Sequence, residues 1–233
     1  MKKVNFDHYT ENYNQLLNVN TQFFVSNEEY FAKYKVDIVR HHTNHSVSRV
    51  LEYGCGIGRN IPFLQAAFPE AVIVGSDISS TSLEMAKALN PTVDFFQESI
   101  NDHNQLPFDL IFVAGVFHHV SPNERSFVTE SLFNRLSPSG SVMIFEHNPF
   151  NPITRRIVSN CPYDEDAVLL APSEMKNRLR QSGFLIENHA YCLFIPPRFP
   201  NLTKIEKYIG WLPLGGQYWI QARKENKHRP TND

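Results

Sequence analysis

The chain has 233 residues, 42% of them hydrophobic and 20% charged, which is enough apolar material for one α/β domain with a full core and a buried site. A formal charge of -2 gives no electrostatic reason to expect the basic face on which nucleic-acid binders rely, so no nucleic acid is expected as a partner. Cys55, Cys161 and Cys192 stand at unrelated spacings that suggest neither a disulfide framework nor a zinc knuckle, and the polar start and lack of a membrane-length apolar run argue against membrane insertion. The expectation is a soluble cytoplasmic protein, monomer or homodimer, with a small-molecule substrate.

Residues 5–45 read as two helices. Phe6, Tyr9, Tyr13, Leu16 and Leu17, then Tyr30, Phe31, Tyr34, Ile38 and Val39, recur at three- and four-residue spacing. Residues 1–45 are therefore expected as a helical cap, ahead of a main domain over 46–225 and a polar tail over 226–233. The aromatic stripes read first as packing, with Tyr9 and Tyr13 as lid residues able to touch substrate. Next, Val50-Leu51-Glu52-Tyr53-Gly54-Cys55-Gly56-Ile57-Gly58 runs a strand into glycines at alternate positions. Such an ending lets the backbone turn sharply and lets a ligand approach without meeting a Cβ. The N–H groups of the following helix, 60–68 with Asn60 at its head, point at that ligand.

A buried parallel strand over 71–77 ends in Asp77, with Ile78 beside it. A carboxylate there accepts hydrogen bonds from both hydroxyls of a ribose. The alternative is a helix cap, but Thr81-Ser82-Leu83-Glu84 is already a capping box. A third strand over 93–98 leads to Glu98-Ser99-Ile100, placed to read an adenine edge. The fourth, 108–115, ends in Ala114-Gly115-Val116-Phe117-His118-His119. Ser121-Pro122-Asn123-Glu124 predicts the capped start of a helix to Leu136, stopped by Ser137-Pro138-Ser139-Gly140. Strand five spans 140–147 and is followed by a turn and a short basic helix over 153–158. An acidic run, Asp164-Glu165-Asp166, precedes a helix over 173–182 closed by Gly183. Strands over 185–195 and 215–223 complete the count, with an unusually apolar connection over 202–214 that reads as lid or packing, a dimer contact, or a lipid-facing surface.

These pieces, in order, resemble the class I S-adenosylmethionine-dependent methyltransferases over about residues 45–225. Glu52 with Gly54, Gly56 and Gly58 looks like the family's glycine motif. Asp77 matches its ribose-binding acid, Glu98-Ser99-Ile100 its adenine loop, and Val116-Phe117-His118-His119-Val120 the segment ending its fourth strand. The resemblance implies a three-layer αβα Rossmann-like sandwich, with a seven-stranded, mostly parallel sheet whose last strand is antiparallel. It also implies S-adenosylmethionine as cofactor, held by Glu52, Gly54, Cys55, Gly56, Gly58, Asn60, Asp77, Ile78, Glu98, Ser99, Ile100, Ala114, Gly115 and Val116. A dinucleotide fingerprint needs glycine where Arg59 stands, which weighs against an NAD-dependent oxidoreductase. A non-catalytic binding protein of the same fold is the other alternative.

Methyl transfer from a sulfonium is an in-line displacement, so the protein chiefly holds donor and acceptor collinear and close. A protonated oxygen or nitrogen acceptor benefits from a general base, and His119, His147 and Glu146 fall at the ends of strands four and five. Alternation along an extended chain predicts that His118 and His119 face opposite ways. The resemblance implies that the second of the pair lies near the substrate, which puts His119 toward the reaction and leaves His118 as a substrate contact. The competing reading is that either His caps the next helix or packs on the sheet edge. Arg155 is a candidate for an anionic substrate group, or simply part of a solvated helix face. His119, His147 and Glu146 share strand ends as metal ligands would, but no H-x-x-x-H pair supports them, and no metal is expected.

Overall fold

The structure is a computed structural model that describes residues 28–98, 106–196, 199 and 205–224. The first expected helix with Tyr9 and Tyr13, the loop residues Ser99 and Ile100, and the polar tail lie outside the described residues.

Helix α1 (Glu28–His42) precedes β1 (Arg49–Tyr53), α2 (Ile61–Ala67), β2 (Val72–Asp77), α3 (Ser80–Leu89), β3 (Asp94–Gln97) and β4 (Phe108–Ala114). There follow α4 (Arg125–Arg135), β5 (Leu136–His147), α5 (Pro152–Asn160), α6 (Pro172–Gln181), β6 (Phe184–Cys192), α7 (Glu206–Ile209) and β7 (Gln217–Lys224). The strands form one seven-stranded sheet in the order β3-β2-β1-β4-β5-β7-β6. Only β7 runs against its neighbours, pairing antiparallel with both β5 and β6. The expected architecture is thus the observed one. From β1 the chain winds outward through β2 and β3, and from β4 it winds the other way. The carboxyl ends of β1 and β4 therefore flank the crevice where open sheets of this kind hold ligands.

Alternation along the central strands sorts the core into two layers. Leu51, Ile111, Val113, Val142 and Ile144 pack on Val128 and Leu132 of α4 and Met175 and Leu179 of α6. Their neighbours Val50, Leu110, Phe112, Met143 and Phe145 face the other way, onto Val36 and Val39 of α1 and Ile61 and Leu64 of α2. Period-two side chains on a sheet covered on both faces leave the strands as near-continuous apolar runs, which is how they read in the sequence.

Several boundaries move. The cap of α3 is Ser79, whose hydroxyl accepts the Ser82 N–H at 3.0 Å, rather than Thr81. Helix α4 starts at Arg125 rather than Ser121, because the Ser121 hydroxyl donates to the Glu124 carboxylate at 2.8 Å instead of capping the backbone. Strand β5 begins at Leu136, which pairs with Phe108 before the register jumps and pairing resumes at Leu110 with Ser141. Strand β6 ends at Cys192, where Leu193 turns to φ +59. The apolar connection that follows is fastened by Glu206, a buried carboxylate that accepts the Tyr34 hydroxyl of α1 and the Ile195 N–H. Tyr208, Trp211 and Leu214 of the same connection are exposed.

Candidate active site

The turn after β1 has the geometry expected of it. Gly54, Gly56 and Gly58 all have positive φ, at +69, +53 and +77. A Cβ on Gly54 would lie 2.4 Å from Val116 Cγ2, whereas one on Gly56 would meet nothing within 4 Å. Gly54 is therefore glycine for packing against the turn after β4, and Gly56 opens onto space where a ligand can approach the backbone. The Cys55 side chain is buried, and burial pushes its thiol far above the ordinary range, so this residue offers a cofactor only its backbone.

Asp77 Oδ2 accepts the Gly56 N–H at 2.8 Å and Oδ1 accepts the Ser79 N–H at 2.9 Å, which ties β2 to the glycine turn. Each oxygen keeps a second lone pair for a ribose hydroxyl. Burial holds this carboxyl above its usual range despite the backbone donors. Glu52, fully inside, accepts Asn60 Nδ2 on Oε1 at 2.6 Å, while its buried Oε2 has no hydrogen-bond partner. An orphaned buried carboxylate oxygen beside an open glycine turn fits the ammonium group of S-adenosylmethionine, because a buried acceptor left unpaired is costly. Lys35 of α1, which sequence reasoning passed over, adds an inward-reaching amine whose pKa burial lowers while Cys192, Glu52 and Glu146 counteract.

Burial pushes the Glu52 carboxyl up to about 8. An ammonium group bound there would favour the carboxylate, so its binding would expel a proton below that pH. Affinity for S-adenosylhomocysteine should therefore tighten as pH rises from 6 to 8, by up to about tenfold per unit, and calorimetry in buffers of different ionisation enthalpy should register the released proton. Glu52→Gln should flatten the profile.

The adenine end differs from expectation. Glu98 is held by both guanidinium nitrogens of Arg135, at 2.6 and 2.8 Å, so its carboxylate is engaged by α4 rather than presented to a base edge. Arg135 also lies over the rings of Tyr53 and Phe96, a cluster that contiguous sequence does not reveal. The Ile78 side chain is half exposed at the rim, and its carbonyl accepts Gln97 Nε2. Ala114 ends β4, Gly115 turns at φ +71 with its N–H on Phe145 O, and Val116 packs beneath Gly54.

Across this turn stands the polar cluster. Glu146, 1% exposed, accepts the N–H groups of Val116 and Phe117 at 2.9 and 2.6 Å and pairs with His118 Nδ1 at 2.7 Å. It is thus spent on positioning the turn and His118, and has no face left for a substrate. The turn also overrides alternation: His119 N–H returns to Val116 O, and the His118 and His119 rings lie 4.1 Å apart on the same side. His118 Nε2 and His119 Nε2 both approach Asp164 Oδ1, at 3.6 and 3.4 Å, and His119 Nδ1 lies 3.3 Å from Asp166 Oδ1. The ring of His147 is 4.8 Å from that of His118.

Burial would lower the His118 pKa, but the carboxylates of Glu146 and Asp164 outweigh it and raise the pKa to about 9. Burial, then the charge of His118, lowers both His119 and His147, the latter to about 4. Asp164 and Asp166 come from the acidic run, whose loop is clamped by the buried Arg125. Its guanidinium donates to Val120 O, Val168 O and Glu174. Arg155 is exposed on α5 and does not join the cluster.

Among the described residues no helix is long and apolar enough to cross a membrane. The sequence model for the methyltransferase domain matches residues 50–140, the span of the glycine turn, Asp77 and the His118-His119 turn. Trans-aconitate 2-methyltransferase of Yersinia pseudotuberculosis is 26% identical over 165 residues, covering 69% of this chain and 60% of that relative's length. The fold is similar to a TehB-like S-adenosylmethionine-dependent methyltransferase of Corynebacterium glutamicum, with TM-score 0.65, 15% identity, and 94% and 99% of the two chains covered. It is similar also to PKMT2 of Rickettsia typhi, solved in complex with S-adenosylhomocysteine, with TM-score 0.56, 16% identity, and 78% and 49% covered. A glycine turn opening at Gly56, an Asp77 carboxylate tied to that turn and a seven-stranded sheet with one reversed strand agree with that match: residues 50–140 carry a methyltransferase domain, on a fold similar to that of S-adenosylmethionine-dependent methyltransferases.

Proposed function

We propose that the chain transfers a methyl group to an oxygen or nitrogen atom of a small molecule, such as an anionic or lipid-like metabolite. The single observation that carries this reading is the orphaned Glu52 Oε2 beside the open Gly56 turn, with the histidine cluster across the same crevice. When bound, S-adenosylmethionine supplies a sulfonium whose methyl is open to in-line attack. The chain's own residues divide the remaining work. Glu52 holds the ammonium, Asp77 the ribose hydroxyls, and the Gly115-Val116 backbone bounds the methionine portion. His119 and His147 face the acceptor, and Glu146 acts through His118 as a positioning residue. The trans-aconitate relative acts, by its name, on a small polycarboxylate, which supports a compact anionic acceptor here too.

Transfer of radiolabelled methyl from S-adenosylmethionine to members of a metabolite panel tests the activity. Binding of S-adenosylhomocysteine with no transfer to any acceptor would favour a non-catalytic role. With a turned-over acceptor in hand, His119→Ala should lower kcat by about a hundredfold while leaving the dissociation constant for S-adenosylhomocysteine unchanged. A matching loss of cofactor affinity would place His119 on the wrong side of the crevice.

A further inference from the structure

The histidine cluster has a pattern that methyl transfer alone does not require. Two imidazoles from the turn after β4 converge, through Nε2, on one oxygen of Asp164, at 3.6 Å from His118 and 3.4 Å from His119. Both separations are long for a hydrogen bond, and two ring nitrogens share a single oxygen. They do match the ~3.4 Å edge of a tetrahedron with bonds of about 2.1 Å, the arrangement of nitrogen and oxygen ligands around a zinc ion. The ligand atoms of the three residues all lie within 4.8 Å of one another.

The far side of each ring points the same way. His118 Nδ1 lies 2.7 Å from Glu146 and His119 Nδ1 lies 3.3 Å from Asp166. A carboxylate accepting Nδ1–H turns Nε2 outward, which is how metal-binding histidines are ordinarily oriented, and an ion binding there would displace the Nε2 proton that Glu146 and Asp164 favour on His118. Two such rings with two separate carboxylates behind them, aimed at a third carboxylate, make a built site rather than a chance group of acids. His118 is 2% exposed, while His119 and Asp164 are 12% and 11% exposed, so the three enclose a point that is sheltered yet reachable.

We propose that His118 Nε2, His119 Nε2 and Asp164 Oδ1 bind one divalent transition-metal ion of the zinc type, with an open fourth position for water or an oxygen of the methyl acceptor. Two imidazoles and one carboxylate suit Zn2+, Co2+ or Fe2+ better than Mg2+ or Ca2+, which prefer oxygen ligands. Resting on the methyltransferase reading, the ion narrows the acceptor to a molecule that offers a hydroxyl or oxyanion to a Lewis acid.

The full chain, stripped of metal by chelation, is titrated with Co2+ while the visible absorption of the four-coordinate ion is followed, and Zn2+ uptake is checked by elemental analysis. One equivalent is expected to bind, with affinity reduced at least tenfold in Asp164→Asn and His119→Ala and by about ten- to a hundredfold in Asp166→Asn, which touches a ligand rather than the ion. Asp164→Asn is nearly isosteric and sits on a loop, so its melting temperature serves as the folding control. Absence of stoichiometric uptake by the folded wild type, or equal uptake by Asp164→Asn, would overturn the site. Calorimetry with S-adenosylhomocysteine on the same samples separates the two readings. Cofactor binding without metal uptake defeats only the metal site, and metal uptake without cofactor binding defeats only the methyltransferase.

Discussion

Asp77→Ala is expected to weaken binding of S-adenosylhomocysteine by at least about a hundredfold, measured by calorimetry on protein whose melting curve shows it folded. Two ribose hydroxyls on a buried carboxylate make charge-assisted hydrogen bonds, each about 1.5–3 kcal/mol, and together they exceed a factor of a hundred. The loss has a second source in this chain. Asp77 also accepts the N–H of Gly56, so alanine releases the middle of the glycine turn as well as the sugar. Asp77→Asn should weaken binding less, because one amide oxygen keeps an acceptor for either partner. Equal affinity in wild type and Asp77→Ala would remove the ribose assignment.

Glu146→Ala is expected to act on the fold before it acts on catalysis. The carboxylate is buried and satisfies the N–H groups of Val116 and Phe117 together with the His118 ring. Removing it orphans two backbone donors and leaves a buried imidazole without its counter-charge, a change of about 3–5 kcal/mol. For a domain of this size that corresponds to a fall in Tm of about 10 °C in a thermal scan. Glu146→Gln, which keeps an acceptor for the backbone, should lose less. A Tm for Glu146→Ala within a degree or two of wild type would show that the turn after β4 does not depend on this side chain.

The fold was legible because apolar runs bounded by glycine and polar residues mark parallel strands at near their true places, and because Gly54, Gly56 and Gly58 need their conformations. The misplaced helix starts share one cause. Ser121 and Thr81 have the residue types of caps, but the choice between capping the backbone and bonding a neighbouring side chain is settled by geometry a few ångströms away. At the site, Glu52 and Asp77 stand out in the sequence because each sits at or near the end of an apolar strand run, Glu52 just ahead of the glycines and Asp77 at the end of β2.

Glu98 could not be read as the partner of Arg135, since 37 residues separate them. The orientation of His118 and His119 was misjudged by treating a turn as extended chain. The acidic run of Asp164 and Asp166 carries no mark in the sequence of what it faces. The clamp of Arg125 on Val168 O and the hydrogen bond from the Val168 N–H to His118 O bring that loop back over the histidines. A pair of adjacent histidines ending one strand, taken with an acidic run downstream, was the available signal, and its meaning depends on a contact across more than 40 residues.

The central claim is that one crevice, between the ends of β1 and β4, holds the donor with its sulfur toward the histidine cluster. A crystal structure of the full chain with S-adenosylhomocysteine tests it most directly. The expected result places the amino group on Glu52 Oε2, the ribose hydroxyls on Asp77, and the sulfur facing His119 and His147 across the Gly115-Val116 turn. Electron density for the ligand away from Glu52 and Asp77, or a sulfur turned from the histidines, would contradict it.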